Sequence, residues 1–437
     1  MQQSARQAWL AREAPPAVLA LAVFALVLLA QWPLVSNPGY FSHDELQWAA
    51  RAGTQESIPW QSWTAVDAFQ YRPLTFNLWL WLSRQLFAQP PLFHAVLVAW
   101  GAVNALLLMA VARRSGVARW PAACAALVFA LGPFGAYVHG WVGTIADLAW
   151  VSCALLAGWL LARARSSAQA AAIAAIATAT ALLAKEAALA IPALLALAWW
   201  FGGRQRRWLV ATGASAGVAA VYLALRIDAL LHATREGPQY TLALANIPRR
   251  WLEYQLYPAM PQKLEAFSTL HGGPGGSVLA AGIVWLLLVL ALWRSERRLA
   301  ALFVLGGAAA LAPVLPLASS WTQYGYGFAG VSAAVTAAAW PLAPRWGRVV
   351  IVVAAVLSVW HGFGVARQVR HVVQRRQAVR VVLDGRELLE RLLEPLLRLL
   401  VLAELHVHHA EVDRRQAAEV GRVRAAAQLR REHVGAL

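Results

Sequence analysis

The chain has 437 residues, of which 60% are hydrophobic and only 14% are charged, and its mean hydropathy is +0.52. Soluble domains carry about a quarter of charged residues, so this composition excludes an ordinary soluble protein and indicates a polytopic membrane protein. The net charge of +17 comes largely from arginines in short, alternate loops between apolar runs. That distribution is a membrane-topology signal and argues against a nucleic-acid partner.

The apolar runs predict an all-α polytopic membrane protein with about eleven transmembrane helices, because a helix needs roughly 20 apolar residues to cross a bilayer. The first run is preceded by Arg6 and Arg12, and positive charge before a first span tends to stay in the cytoplasm. The loop after that run is therefore expected on the outer face. The predicted spans are 17–35, 92–112, 120–138, 145–162, 169–185, 187–202, 208–225, 276–293, 299–318, 327–343 and 349–365.

Two long outer loops, 36–91 and 226–275, interrupt this pattern. The first is expected to contain helices lying at the membrane interface, one running on from residue 44 through 47–51 and one over 74–87. After residue 365 the composition changes to a basic tail, 366–437. We interpret this tail either as a disordered translocated segment, on which the charge bias acts weakly, or as the product of a frameshift. Residues 1–365 are then the membrane domain.

The sequence implies no cofactor; a divalent metal is left open, but the cysteine and histidine usage does not imply one. Cys124 and Cys153 both fall in predicted spans, where they are expected to be buried as small apolar residues. The chain has no CxxC pair, so neither a zinc site nor a disulfide framework is expected.

The segment Ser42-His43-Asp44-Glu45 follows the first predicted span directly. In one interpretation, Ser42 and Glu45 form a capping box at a helix start. In the other, Asp44 or Glu45 accepts a proton from an incoming hydroxyl, for which a carboxylate needs only hydrogen-bond reach and a suitable pKa. The two interpretations are compatible, because a capped helix start fixes a carboxylate in place.

Lys185 and Glu186 lie at the outer end of the fifth predicted span, where charged residues mark a site by default. Lys185 is one of only two lysines in the chain, the other being Lys263. The structural alternative is a local ion pair or a snorkelling lysine. The functional hypothesis is that Lys185 binds a lipid phosphate and stabilises the charge that develops as that phosphate leaves. Arg226, at the outer end of the seventh span, is a second phosphate candidate or an interface anchor.

Five further residues are candidates near the same face. Arg72, in Tyr71-Arg72-Pro73-Leu74, is expected to bind either the donor phosphate or a lipid headgroup, with Tyr71 beside it. Asp147, in Thr144-Ile145-Ala146-Asp147, either forms a helix cap or contacts substrate. Tyr257 in the second outer loop and Tyr324 before the tenth span are candidates for lining a substrate groove.

The ordered set of motifs resembles a known family. YRPLTFNLWLWL, FHAVLVAWGAVNALLL, ALGPF, GWVGTIADLAW and ALLAKEAALAIP, preceded by acidic residues after the first span, follow one another between residues 17 and about 365. In this order they resemble the membrane glycosyltransferases with the C-type fold (GT-C), nearest to the protein O-mannosyltransferase-like and TMTC-like groups. The resemblance implies inverting transfer from a polyprenyl-phosphate sugar, with the catalytic acid at Asp44 and Glu45 beside it.

The sequence therefore predicts a glycosyltransferase of the bacterial inner membrane whose active site faces the periplasm. Its expected partners are a polyprenyl-phosphate sugar lipid, an acceptor that is a protein hydroxyl, a lipid or a glycan, and the bilayer. Two rivals remain open. A transporter or flippase of lipid-linked sugars would place charges inside spans, but it more often has inverted repeats and broken helices, of which the sequence gives no sign. A polysaccharide polymerase or ligase is the second.

Overall fold

A computed structural model describes residues 16–40, 52, 58, 60–232, 237, 240–260, 266–267 and 275–384. The described chain is almost wholly helical, as the sequence predicts. Its α-helices are α1 Pro16–Ala30, α2 Trp32–Val35, α3 Pro73–Leu86, α4 Pro90–Arg114, α5 Arg119–Leu131, α6 Pro133–Gly140, α7 Ile145–Leu161, α8 Ser167–Ala184, α9 Ile191–Phe201, α10 Arg206–His232, α11 Ile247–Leu256, α12 Gly276–Ser295, α13 Arg297–Leu311, α14 Tyr326–Ala339 and α15 Arg345–Asp384.

Short elements connect these helices. The two strands, β1 Ala266–Phe267 and β2 Ser320–Trp321, pair antiparallel and join two loops, with Ala266 opposite Trp321. The 3₁₀ turns are Val142–Thr144, Glu186–Ala190, Leu244–Asn246, Tyr257–Ala259 and Thr322–Gly325.

In the described part of the chain, six helical segments are long and apolar enough to cross a membrane: Pro90–Arg114, Val142–Leu161, Ser167–Ala184, Arg206–His232, Gly276–Ser295 and Arg345–Arg370. The pair α5 and α6 makes a seventh if it is counted as one bent span. Two shorter apolar segments, Ala17–Ala30 and Glu186–Phe201, fall below this length. The chain is thus an all-α, multi-pass membrane protein. Each of the eleven predicted spans overlaps a helix, but eleven crossings remain a prediction.

The third predicted span, 120–138, is not one straight helix. It bends by 55° between α5 and α6. Gly132 at the break is extended, with ψ 170°, and Pro133 begins the next helix, where its missing N–H costs nothing. The expectation that the chain contains no broken helix is therefore wrong. The Gly-Pro dipeptide at the break was the feature of the sequence that could have predicted it.

Small residues determine how α8 and α10 pack. Along α8 the buried face carries Ala170, Ala174 and Thr178, and the facing stripe of α10 carries Ala211, Ser215 and Ala219. The four-residue spacing lets the two backbones approach closely, as is common between membrane helices. The Thr178 and Ser215 hydroxyls meet at 2.7 Å across this interface.

The loop predictions have mixed outcomes. The helix expected over 74–87 is present as α3, and its place at the membrane interface stays a prediction. The helix expected around 47–51 lies outside the described residues. Cys124 is exposed and Cys153 is half-buried, so the expectation that both are buried is wrong. The boundary at 365 between the membrane domain and the basic tail stays a prediction; in the structure α15 continues to Asp384 and the first compact unit ends at Gln374. The tail beyond 384 lies outside the described residues.

The middle of α15 makes a close backbone approach that only glycine permits. A Cβ at Gly362 would lie 1.8 Å from the carbonyl oxygen of Leu131, at the break between α5 and α6. Since backbone cannot move aside as a side chain can, α15 must shift to accept any larger residue.

We expect Gly362→Ala to destabilise the protein by about 1–3 kcal/mol, the usual cost of overpacking. Gly364→Ala is the matched control, because a Cβ there meets nothing within 4 Å. Thermal unfolding in detergent should show a lower Tm for Gly362→Ala and an unchanged or higher Tm for Gly364→Ala. Equal melting of the two variants would contradict the close approach.

Candidate functional site

Four charged side chains from three segments meet in one cluster. Arg72 precedes α3, Asp147 is in the first turn of α7, and Lys185 and Glu186 follow the end of α8. Lys185 Nζ donates to both carboxylate oxygens of Asp147, at 2.6 and 2.5 Å. Arg72 Nε donates to Oε2 of Glu186 at 2.9 Å. The cluster therefore consists of two ion pairs with no net charge.

The two neighbours Lys185 and Glu186 do not pair with each other. Lys185 is extended, with φ −163° and ψ 141°, and adjacent side chains on extended backbone point to opposite sides. Lys185 consequently reaches Asp147 and Glu186 reaches Arg72. The alternative of a local Lys185–Glu186 ion pair is corrected by this geometry. The end of α8 is held by Thr75, whose hydroxyl donates to the carbonyl of Ala184 at 2.7 Å.

The two ion pairs differ in burial. The Lys185 and Asp147 side chains are 5% and 3% exposed, whereas Arg72 and Glu186 keep 21% and 18%. Breaking a buried pair by removing one partner is strongly destabilising, because the other charge is left uncompensated. The Lys185–Asp147 pair is therefore the rigid half of the cluster, and the Arg72–Glu186 pair is the half that a solute can reach.

The Arg72–Glu186 pair, which a solute can reach, has unused hydrogen-bonding capacity. Within the described residues, Arg72 makes its only side-chain hydrogen bond through Nε. Its two Nη groups are therefore available to an oxyanion, which a planar guanidinium binds in a fork. Oε1 of Glu186 is buried and has no hydrogen-bond partner in the part of the chain that is described. An anionic group carrying hydroxyls would fit this pattern of free donors beside a free acceptor.

The loop that carries Arg72 is fixed from two sides. Gln61 accepts from the Arg72 backbone N–H at 2.8 Å and donates to the carbonyl of Gln70 at 2.8 Å. Arg226, which is 1% exposed, donates to the carbonyls of Val66, Ala68 and Phe69. These contacts make Arg226 a clamp on the loop, and they occupy both of its Nη groups. The structure thus places Arg226 behind the cluster, where it positions Arg72.

Three tyrosines predicted from the sequence have different surroundings. Tyr324 lies next to the cluster, with Lys185 Nζ 4.8 Å from its ring centroid. Tyr71 lies under Arg226, 5.3 Å from ring centroid to Cζ, and donates to the carbonyl of Trp63 at 2.6 Å. Tyr257 is fully buried among aromatic rings, 5.2 Å from Phe134 and 4.6 Å from His361, so it belongs to a packed core.

The electrostatics outside the membrane-spanning segments agree with this arrangement. Burial raises the pKa of the Tyr324 phenol well above its ordinary value, so the ring faces Lys185 in its neutral form. Burial is the largest single influence on the pKa of Arg72 and acts to lower it, but the attractions of the neighbouring groups, with the Glu186 carboxylate foremost, together outweigh it and the net shift is upward. Arg72 is therefore a permanent cation at this site.

The helix-cap interpretation of Thr144 and Asp147 is wrong. The Thr144 hydroxyl donates to the carbonyls of Val138 and Trp141 and does not cap α7. The Asp147 carboxylate accepts hydrogen bonds from Lys185, so Asp147 is an ion-pair residue and not a helix cap. Asp44 and Glu45, the predicted catalytic pair, lie outside the described residues, as does Ser42.

Sequence reasoning missed Tyr222. It is buried on α10 one helical turn before Arg226, and its hydroxyl has no hydrogen-bond partner among the described residues. The i, i+4 spacing from Arg226 was the signal that could have identified it.

A buried polar network was missed as well. His139 contacts Gln31 Oε1 through Nδ1 at 2.8 Å and the Tyr326 hydroxyl through Nε2 at 3.1 Å. A Cβ at Gly101 would lie 2.1 Å from this imidazole, so the glycine makes room for it.

Among the described residues, no three His, Cys, Asp or Glu side chains are grouped as metal ligands would be. No family model matches the chain, and neither does any curated protein or solved structure with which it was compared.

Proposed function

We propose that the protein is a membrane glycosyltransferase of the C-type fold that moves a sugar from a polyprenyl-phosphate donor to an acceptor hydroxyl. The observation that carries the proposal is the cluster of Arg72, Asp147, Lys185 and Glu186, assembled from three distant segments of a multi-pass membrane protein. Charged groups buried at the ends of membrane helices are costly and mark functional sites by default.

In this proposal the donor phosphate binds first to the free Nη groups of Arg72, and Lys185 adds positive charge from the buried side. The acceptor oxygen attacks the anomeric carbon while the bond between that carbon and the phosphate oxygen breaks. Polyprenyl phosphate leaves with the bonding electron pair, and Arg72 and Lys185 stabilise its charge. The acceptor proton passes to Asp44 as general base, with Glu45 as its partner, and the anomeric configuration is inverted.

The donor assignment is tested with purified protein in nanodiscs. Polyprenyl-phosphate sugars differing only in the sugar are supplied as a panel, and release of polyprenyl phosphate is measured by mass spectrometry. Release from at least one member, dependent on an added acceptor, supports the proposal. Absence of release from every member, in protein that melts cooperatively, contradicts it.

Arg72 should control donor binding. We expect Arg72→Met to weaken donor affinity about 10- to 150-fold, since a hydrogen bond to a charged group is worth about 1.5–3 kcal/mol. Arg72→Lys should recover part of the affinity, because it keeps the charge but loses the fork. Affinity is read from donor titrations followed by native mass spectrometry.

Arg84→Met is the matched control for Arg72, because Arg84 is an exposed arginine in the last turn of α3, the helix that Arg72 directly precedes. A second control, Arg72→Met with Glu186→Gln, removes the stranded carboxylate and leaves only the loss of the cation. If this double variant binds donor as tightly as the unmodified protein, Arg72 is not the phosphate ligand.

A second candidate function is a flippase of lipid-linked sugars, and one observation favours it. The 55° break between α5 and α6 is the kind of discontinuous helix that transporters use. Proteoliposomes with a fluorescent lipid-linked sugar in one leaflet separate the two functions. A flippase moves the intact lipid across the bilayer, whereas a transferase releases polyprenyl phosphate only when the acceptor is present.

A further inference from the structure

A large apolar cavity, here called the lateral groove, lies apart from the charged cluster. It has a volume of 790 Å³ and is lined by parts of α5, α12, α14 and α15 together with the break at Gly132 and Pro133. None of its lining residues, all of which are described, is charged. A cavity with such a lining takes hydrocarbon and excludes an ionised group, which would have no counter-charge there.

The lateral groove opens toward the outside of the helical bundle. Residues on its rim keep large apolar surfaces exposed: Val356 is 60% exposed, Trp360 is 55% exposed and Trp120 is 65% exposed. The rim residues of α15 lie in the candidate membrane-spanning segment Arg345–Arg370, and α12 on the other side is a candidate span as well. A groove between such helices is open to the bilayer and can be entered sideways.

One polar side chain that lines the lateral groove is unsatisfied. Gln255 is 5% exposed, and its Oε1 accepts a hydrogen bond from Trp285 Nε1 at 3.0 Å. Because the indole nitrogen only donates, this bond fixes the orientation of the amide. The Nε2 group of Gln255 is then a donor, and it is buried without a partner among the described residues. Leaving such a donor unsatisfied is costly, so an acceptor is expected there.

A second neutral donor lines the same cavity. The Ser332 hydroxyl on α14 is buried and has no partner within the described part of the chain. Both free groups are uncharged, so both suit a carbonyl oxygen better than a phosphate, for which cations would be expected.

From these observations we infer that the lateral groove is a lipid-binding site that takes one ester-linked acyl chain of a bilayer glycerophospholipid, with the ester carbonyl accepting from Gln255 Nε2. A polyprenyl phosphate suits the groove less well, because its polyprenyl chain has no carbonyl and its phosphate has no cation among the lining residues. The groove is also separated from the charged cluster. Phe134 lines it, and this ring packs so closely on Gly325, beside Tyr324, that a Cβ there would lie 2.2 Å away.

The site is tested in nanodiscs that contain phosphatidylethanolamine with a diazirine in one acyl chain. After irradiation, peptide mapping by mass spectrometry locates the attached lipid. We expect labelling concentrated on segments 284–288 and 351–363. Ala355→Phe fills the groove and should abolish this labelling, whereas Ala280→Phe, on an exposed part of α12 that does not line the groove, should leave it unchanged.

Gln255→Met provides an independent variant, because it keeps a side chain of similar length and removes the donor. Loss of one hydrogen bond should lower retention of the ester lipid about two- to tenfold. Val359→Trp is a second groove-filling variant in case Ala355→Phe does not fold, and Tm is measured for all variants. A diazirine-bearing polyprenyl phosphate is run in parallel.

Two results overturn the inference. One is labelling of the lateral groove no stronger than that of the exposed face of α12 around Leu279 and Ile283. The other is preferential labelling of the groove by the polyprenyl phosphate. The inference does not depend on the proposed glycosyl transfer, because lipid retention is measured without a donor sugar or an acceptor.

Discussion

Replacing Lys185 by Met should lower the free energy of unfolding by about 3–5 kcal/mol, because it strands the buried Asp147 carboxylate without its only cation at hydrogen-bond distance in the described residues. The double variant Lys185→Met with Asp147→Asn removes both charges and should recover most of that stability. Thermal unfolding in one detergent, at equal protein concentration, measures both changes.

The matched control is Lys185→Met combined with Glu186→Gln. Glu186 pairs with Arg72, so this second change does not relieve Asp147 and should not restore stability. Rescue by Glu186→Gln in place of Asp147→Asn would contradict the pairing that the structure gives.

The same three variants separate a structural role of Lys185 from phosphate binding. If Lys185 contributes to donor binding, the stable double variant with Asp147→Asn still has a raised KM and a lower kcat, because phosphate is bound in both the ground and the transition state. Full donor affinity in a stable double variant would restrict Lys185 to holding the cluster together.

Replacing Asp44 by Asn should reduce sugar transfer by about 10²- to 10⁴-fold, the range that a general base contributes. Expression, membrane insertion and Tm should not change, since the substitution keeps the size of the side chain. Polyprenyl phosphate release in nanodiscs measures the rate.

Glu45→Gln is the control for Asp44, and it should have the smaller effect because the Glu45 side chain is expected to serve the helix cap. Full activity of Asp44→Asn would remove the general-base role and leave only the capping interpretation of this segment. Equal losses in both variants would indicate that the two carboxylates act as one unit.

Much of the fold is readable from the sequence for a simple physical reason. A membrane-spanning helix must satisfy its own backbone and present apolar side chains over its whole length, so apolar runs mark helices directly. For this reason each predicted span overlaps a helix, and α3 begins and ends within one residue of the predicted stretch. The length of an apolar run in the sequence does not by itself decide whether the helix crosses the membrane, however. The helices α13 and α14, which overlap the ninth and tenth predicted spans, have only 15 and 14 residues.

The candidate site shows what composition and spacing can determine. Charges at the ends of apolar runs are rare enough to be conspicuous, so Arg72, Asp147, Lys185 and Arg226 were identifiable one by one. The sequence by itself also determined that the protein is all-α and that it is a membrane protein. Helix formation and the hydrophobicity of a segment both depend only on residues that are close along the chain.

Only the tertiary structure decided which charges pair. Asp147 and Lys185 are 38 residues apart, and Arg72 and Glu186 are 114 apart, so local patterns cannot indicate their contacts. The extended backbone at Lys185 directs the side chains of Lys185 and Glu186 to opposite sides. Arg226 donates its hydrogen bonds to loop carbonyls. The lateral groove is likewise invisible in the sequence, because a cavity is a property of how distant helices pack and not of any one of them.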